Sequence, residues 1–381
     1  MIYLDNNATT RVAPEVLEAM RPWLDEAYGN PSAGYRFGRT ARKAIDQARE
    51  QVAAFIGAQP EEIVFTSGGT ESNNAAIRSA LALRPDRRAI LTSTVEHSAV
   101  EEPVKFHEST GYEARFNPVD SLGRLDLDTW KVHLVKGEFA LASLMWANNE
   151  TGVISPVEEA FALAAEHDVY CHSDAVQAVG KIPVNVAAFP LHALSISAHK
   201  LHGPKGIGAL WVNRHARFLP QSLGGGQENE RRSGTENVPA IVGFGVAAEL
   251  ALRALGAREE IAALRDRFER GVIEALPDVA INGDPEGRLP NTSNLYFPGV
   301  DGEGLLILLD EAGVCCSPGS ACSTGQVKPS RIVRAMGHPN ARARSSVRFS
   351  LSRFTTAAEI DSAVSAVAKS VGKLRVVLPR R

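Results

Sequence analysis

The sequence predicts an α/β fold: a large unit with a mostly parallel central sheet and helices on both faces, followed by a smaller α/β unit. Three observations carry this. Short apolar runs alternate with helical patterns through the middle of the chain, the order that βαβ crossovers produce. A long helical stretch from 238 to about 276, broken near Gly256, then links two units. Beyond it, strand and helix patterns resume. The 381 residues allow two or three domains at roughly 150 residues each.

The elements follow in order. A strand is expected over 62–66 (EIVFT), then a Gly-rich loop and a helix from about Ser72. A second strand, 89–93, leads to a helix from about Ser98, and a third, 141–146, to a helix over 156–167. Strands over 168–173, 193–197 and 207–212 complete the large unit. The smaller one reads as strands at 279–282 and 293–297, a helix over 302–312, an apolar run at Val314, a helix over 330–336, a strand over 346–350 and a last helix from Thr355.

Composition narrows the function. Apolar residues make up 44% of the chain, enough for a large core, and the formal net charge is -3. That balance favours neither nucleic acid nor an anionic membrane as a partner. The opening MIYLDNNATT has no basic n-region and no apolar stretch, so no secretory signal is expected. The apolar segment 241–252 contains Glu249 and is too short for a bilayer. A cytoplasmic protein is expected. Four cysteines in a chain this long do not make a disulfide framework, and in a reducing compartment a clustered cysteine points to catalysis or metal binding.

Ligands of open α/β sheets bind beyond the carboxyl ends of the strands, so the residues there matter most. Ser67-Gly68-Gly69-Thr70-Glu71 follows the first strand. Its glycines allow close approach of an anion, and the next helix offers free N–H groups; an ordinary capped turn would look the same. His97 follows the second strand and can stack on a ring or move protons, although a lone histidine is more often structural. Asn148-Asn149-Glu150-Thr151-Gly152 follows the third. Asp174, with Gln177 three residues on, follows the fourth and could hold a heterocycle nitrogen protonated or merely cap a helix. Ser197-Ala198-His199-Lys200 and Lys205 follow the fifth; either lysine could form a Schiff base on chemistry alone. An anion loop, an imidazole, amides, a carboxylate and a lysine at five successive strand ends match the phosphate, ring, phenolic oxygen, pyridinium and aldehyde of pyridoxal phosphate (PLP) better than chance does.

The run from Cys315 to Gly325 is the other unusual segment. Cys315 and Cys316 end an apolar run and fit small buried residues. Cys322 lies among Ser, Gly and Ala, between Gly319 and Gly325, and reads as a thiol in an exposed, mobile loop. A metal site ranks low, because the C-x-x-C pairs of a zinc site are missing. Arg348 could clamp a carboxylate or form a salt bridge; the sequence leaves the two about even.

These motifs resemble those of the NifS/IscS-type cysteine desulfurases, in the class V aminotransferase group of fold type I PLP-dependent enzymes. The matching segments are the opening Tyr3-Leu4-Asp5-Asn6-Asn7-Ala8-Thr9-Thr10, Thr66 to Ser72, Glu96-His97, Asn148 to Gly152, Asp174-Ala175-Val176-Gln177, Ser197 to Lys200, Arg232-Ser233-Gly234-Thr235, Gly319-Ser320-Ala321-Cys322 and Arg348-Phe349-Ser350-Leu351. The resemblance covers nearly the whole chain. It implies a large PLP-binding domain over 15–255 and a small domain made of 1–14 and 256–381. It implies Lys200 as the covalent PLP lysine, His97 on the ring, Asp174 at the pyridine nitrogen, and Asn149 with Gln177 near the phenolic oxygen. Gly69, Thr70, Ser197 and His199 would hold the phosphate, with Thr235 reaching the phosphate of a second subunit in a homodimer. Asn7, Asn149 and Arg348 would bind the substrate, L-cysteine. Cys322 would take its sulfur as a persulfide, with His97 helping to move protons, and pass it to an acceptor protein. Cys315-Cys316 and Ser352 depart from the family pattern. The alternatives are another class V enzyme, such as a selenocysteine lyase or an aminotransferase, or a sulfur carrier without catalysis. The acceptor stays open among iron–sulfur cluster assembly, tRNA thiolation, cofactor sulfuration and DNA sulfur modification.

Overall fold

The computed structural model describes residues 1–318 and 328–377. In chain order the elements are β1 (Ile2–Tyr3), α1 (Pro14–Met20), α2 (Pro22–Asp25), α3 (Arg36–Ile56), β2 (Ile63–Thr66), α4 (Gly69–Leu83), β3 (Ala89–Ser93), α5 (Ser98–Ser109), β4 (Glu113–Asn117), α6 (Leu127–Lys136), β5 (Phe139–Ser143), α7 (Val157–Ala165), β6 (Tyr170–Asp174), β7 (Ala193–Ser197), β8 (Gly208–Val212), α8 (Val238–Ala254) and α9 (Arg258–Ala275). They continue with β9 (Ala280–Ile281), β10 (Thr292–Tyr296), α10 (Gly302–Glu311), β11 (Val314–Cys315), β12 (Ser317–Pro318), α11 (Arg331–Ala335), α12 (Asn340–Arg344), β13 (Ser346–Ser350) and α13 (Ala357–Val377).

The large sheet has the order β2-β8-β7-β6-β5-β3-β4. All neighbours are parallel except β8, which runs antiparallel to both β2 and β7. Strands β3, β5, β6 and β7 are buried along their whole length, as strands covered on both faces must be. One face packs on α4 and α5 through Ala76, Ile77, Ala80, Val100 and Val104. The other packs on α3, α6, α7 and α8. Helix α3 buries Ala41, Ile45, Ala48, Val52 and Ile56, the three-to-four spacing of one helical face. It ends where Gly57 takes a left-handed φ of 70°, which costs a glycine little.

A second sheet, β12-β13-β10-β9, packs on α9, α10 and α13 around Phe268, Phe297, Phe349 and Val367. The chain's first strand, β1, pairs in parallel with β11, and Leu4 joins this second core.

Several sequence expectations shift. The third strand lies at Phe139–Ser143 rather than 141–146, and the helix after the glycine loop starts at Gly69 rather than Ser72. The break near Gly256 is a single 3-10 turn, Leu255–Ala257. By length and composition the combined stretch Val238–Ala275 is long enough to cross a bilayer, longer than the 241–252 segment suggests. Its apolar side chains Ile241, Phe244, Ala247 and Ala248 are buried in the core, as in an internal helix of a globular fold.

Candidate active site

A cavity of about 350 Å³ opens at the carboxyl edge of the large sheet, where it meets β12, β13 and residues 7–8. Its lining includes Gly69, Thr70, His97, Asn149, Asp174, Gln177, Ser197, His199, Lys200 and Arg348. Nearly every site residue read from the sequence is therefore brought to one place. The exceptions are Thr235, which is exposed and absent from the lining, and Cys322, which lies outside the described residues. Lys205 is exposed and away from the cavity, so the geometry singles out Lys200.

The sheet edge makes the inner end. Gly68, with φ 151°, leads into α4, whose first turn leaves backbone N–H groups without helical partners. A Cβ on Gly69 would come within 2.7 Å of Val176 Cγ2, and one on Gly208 within 2.7 Å of Gly68 Cα. The glycines let this loop pack flat on the sheet edge. Ser197 Oγ is near Gly68, and His199 Nδ1 lies 3.2 Å from Thr9 Oγ1. Burial, reinforced by Lys200 and Lys205, brings the His199 imidazole down to about 4. Arg232 reaches this corner through Glu71, its Nε donating over 2.9 Å.

Asp174 ends β6 and is buried. Its Oδ2 accepts from Asn73 Nδ2 at 2.7 Å and its Oδ1 from the Val176 backbone N–H at 3.0 Å. Both oxygens are thus oriented, and Asp174 still lines the cavity. His97 is the N-cap of α5: its Nδ1 accepts from the Ala99 N–H at 3.1 Å. A neutral ring bonded this way carries its proton on Nε2. Burial lowers the His97 pKa, opposed by nearby Asp174. Next to it, Glu96 is fully enclosed, and burial pushes its carboxyl up to about 8.

Lys200 stands in a 3-10 turn after β7, and its Nζ donates to the carbonyls of Asn7 and Ala8. Burial first, then the Arg348 cation, brings its amine down to about 8. A neutral amine is the form that attacks an aldehyde or takes a proton.

The outer end comes from the second sheet and the N-terminal segment. Arg348, on β13, donates from Nη2 to Asp5 Oδ1 at 2.8 Å and from Nη1 to the Asn149 carbonyl at 3.0 Å. Its Nε has no partner among the described residues. The two readings of Arg348 are thus compatible: it is salt-bridged, yet it faces the cavity, and each Nη has a second N–H to offer. Ser317 Oγ donates to the other Asp5 oxygen at 2.8 Å.

Sequence reasoning missed four residues that shape the site: Asn73, which aims Asp174; Asp5, which pairs with Arg348; Ser317; and Lys181, which bonds Asn7 and Gln177. Asn73 was findable, because it lies four residues beyond Gly69 and so on the same helical face.

The arrangement offers a carboxylate, an imidazole, an amine, a helix N-terminus and a guanidinium around one space. Comparison with known proteins gives the family. The profile of the aminotransferase class-V family matches residues 2–363. A protein of Nostoc sp. called cysteine desulfurase is 50% identical over 380 residues, covering 100% of this chain and 95% of its own. Among solved structures, one described as a NifS-like protein matches with a TM-score of 0.92 at 35% identity, over 98% of this chain and 100% of that one. A structure of SspA in complex with cysteine matches with a TM-score of 0.82 at 34% identity, over 93% of this chain and 100% of that one. The chain belongs to the class-V aminotransferase family, on its NifS-like cysteine desulfurase branch.

Proposed function

We propose that this chain is a PLP-dependent cysteine desulfurase that converts L-cysteine to L-alanine and moves the sulfur onto Cys322. The observation that carries this reading is the convergence of Lys200, Asp174 and His97 with Arg348 in one cavity. The names of its relatives and the cysteine complex of SspA point the chemistry toward cysteine.

The residues present fit PLP. The first turn of α4 at Gly69 and Thr70, with Ser197 and His199, suits a phosphate. Asp174, held by Asn73, suits the pyridine nitrogen. Gln177 and Asn149 suit the phenolic oxygen, Lys200 the aldehyde, and His97 the ring face. Thr235 would serve the phosphate of a second protomer, so the reading includes a homodimer. Bound PLP supplies an electron sink for the pair released when the substrate Cα loses its proton.

The chain's own groups would do the rest. Arg348 takes the substrate carboxylate with its free N–H groups, flanked by Asn7 and Asn149. Lys200 is a neutral amine above about pH 8 and removes the Cα proton. His97 donates from Nε2; to accept a proton at Nδ1 it would have to give up its bond from Ala99. The Cys322 thiolate attacks the substrate sulfur. An S–S bond forms as the carbon–sulfur bond breaks, and the electron pair stays with the carbon, which is protonated to the methyl of alanine. One thiol and one cysteine become one persulfide and one alanine, so no outside oxidant is needed. A sulfur-acceptor protein then takes the terminal sulfur, and a free thiol of this kind goes with a cytoplasmic location.

The test is to incubate the PLP-loaded protein with L-cysteine, measure alanine, and locate added sulfur by mass spectrometry. Equimolar alanine and a gain of one sulfur on the Cys322 peptide are expected, with both lost in Cys322→Ser. Wild-type alanine formation by Cys322→Ser would overturn the assignment.

A further inference from the structure

Asn7 joins two lysines. Its backbone carbonyl accepts from Gln177 Nε2 at 3.0 Å and from Lys200 Nζ. Its side-chain oxygen accepts from Lys181 Nζ at 3.0 Å and from Asn291 Nδ2 at 3.1 Å. Its side-chain nitrogen donates to Thr292 Oγ1 at 2.9 Å and to the Asn149 carbonyl at 3.2 Å. Two acceptors on one side and two donors on the other fix which way this amide faces.

Lys181 has a second partner, Gln177 Oε1. The Gln177 amide is therefore held at both ends: Oε1 by Lys181, and one N–H of Nε2 by Asn7. With its oxygen bonded by Lys181 and its nitrogen by Asn7, the amide cannot flip, its second Nε2 N–H is left to donate, and Gln177 lines the larger cavity. Lys181 itself is not part of that lining. It borders a smaller cavity of about 50 Å³, together with Lys200, Asn6 and Thr10. Burial and the neighbouring cations of Lys200 and Arg348 hold its ammonium well below the usual lysine range. Charged or neutral, it keeps N–H groups to donate.

We propose that Lys181 is a positioning residue: from outside the cavity it holds Gln177 as a hydrogen-bond donor facing the bound ligand and steadies Asn7, whose carbonyl receives Lys200. It acts through Gln177 and touches no reacting atom. The inference rests on the reading that PLP occupies the cavity, with Gln177 at its phenolic oxygen. A donor there favours the anionic oxygen, so weakening it raises the pH at which the bound cofactor gives up its proton.

The experiment first titrates the visible absorption of PLP-loaded wild-type protein against pH. Absence of any bound chromophore would sink the cofactor reading itself and is thus separate from failure of this inference. With the chromophore present, Lys181→Met is expected to shift the titration upward by about 1 pH unit, and Lys181→Arg, which keeps donors in reach, by less. In a Gln177→Leu background, Lys181→Met should add nothing further, since the two act as one unit. Lys181→Gln, with fewer donors and a shorter reach, should shift the titration in the same direction by a smaller amount, and serves if the methionine variant does not fold. An unchanged titration in Lys181→Met, or an equal shift with and without the Gln177 amide, overturns the proposal.

Discussion

At the inner end of the cavity, Asp174, Ser197, His97 and Lys200 each stand at or just after the end of a strand in one sheet. At the outer end, Arg348 is set by Asp5, which lies 343 residues away in the chain, and Asn7 by Asn291, 284 residues away. The inner end is thus a property of one rigid sheet edge. The outer end exists only when the N-terminal segment, β13 and the loop at Asn149 are docked together. We expect the inner end to govern covalent capture and proton transfer, and the outer end to govern substrate affinity.

Mutations can break that division. Lys200→Ala should have the largest effect, a loss of alanine formation on the order of 10⁴-fold together with loss of the visible band after gel filtration. Asp174→Asn keeps the shape of the inner end but removes the carboxylate's charge. A drop in kcat on the order of 100-fold, with little change in KM, is expected from losing such oriented electrostatics. Arg348→Leu should act differently, raising KM for cysteine roughly 10- to 100-fold through loss of a charge-assisted bond. If Arg348→Leu instead lowers kcat alone, the two ends do not divide the work as described.

The smallest effect concerns pH. Burial lowers the folded Lys200 amine to about 8, so the neutral form prevails above that pH and is lost as pH falls. The rate of PLP uptake by the apoprotein should rise with pH and level off above about 8. A rate that keeps climbing toward pH 10 would place the reacting amine in water.

The same contrast explains what could be read from the sequence. The inner end was legible because its residues sit in short local motifs after apolar strands, where chain order alone places them on one edge. Chemistry left Lys200 and Lys205 open; the fold separates them, because Lys205 lies exposed in the turn beside Gly206, whose φ is 79°. The Asp5–Arg348 pair was not legible, since no local pattern reports a partner from the far end of the chain. Lys181 lies four residues after Gln177, a spacing that suggests contact in a helix, but 175–182 forms turns rather than a helix. Strand β4 and helices α3 and α6 were also not anticipated. In β4, Glu113 and Arg115 interrupt the apolar pattern, and its place at the sheet edge tolerates them. The helical run ending at Ala275 and its break at Leu255–Ala257 were easier, because both are visible as composition.

Reduction of the PLP-loaded protein with borohydride, followed by peptide mapping, tests the central claim most directly. The account predicts one phosphopyridoxyl group, on the peptide containing Lys200. A label on Lys181 or Lys205, or no label on a protein saturated with PLP, would contradict it.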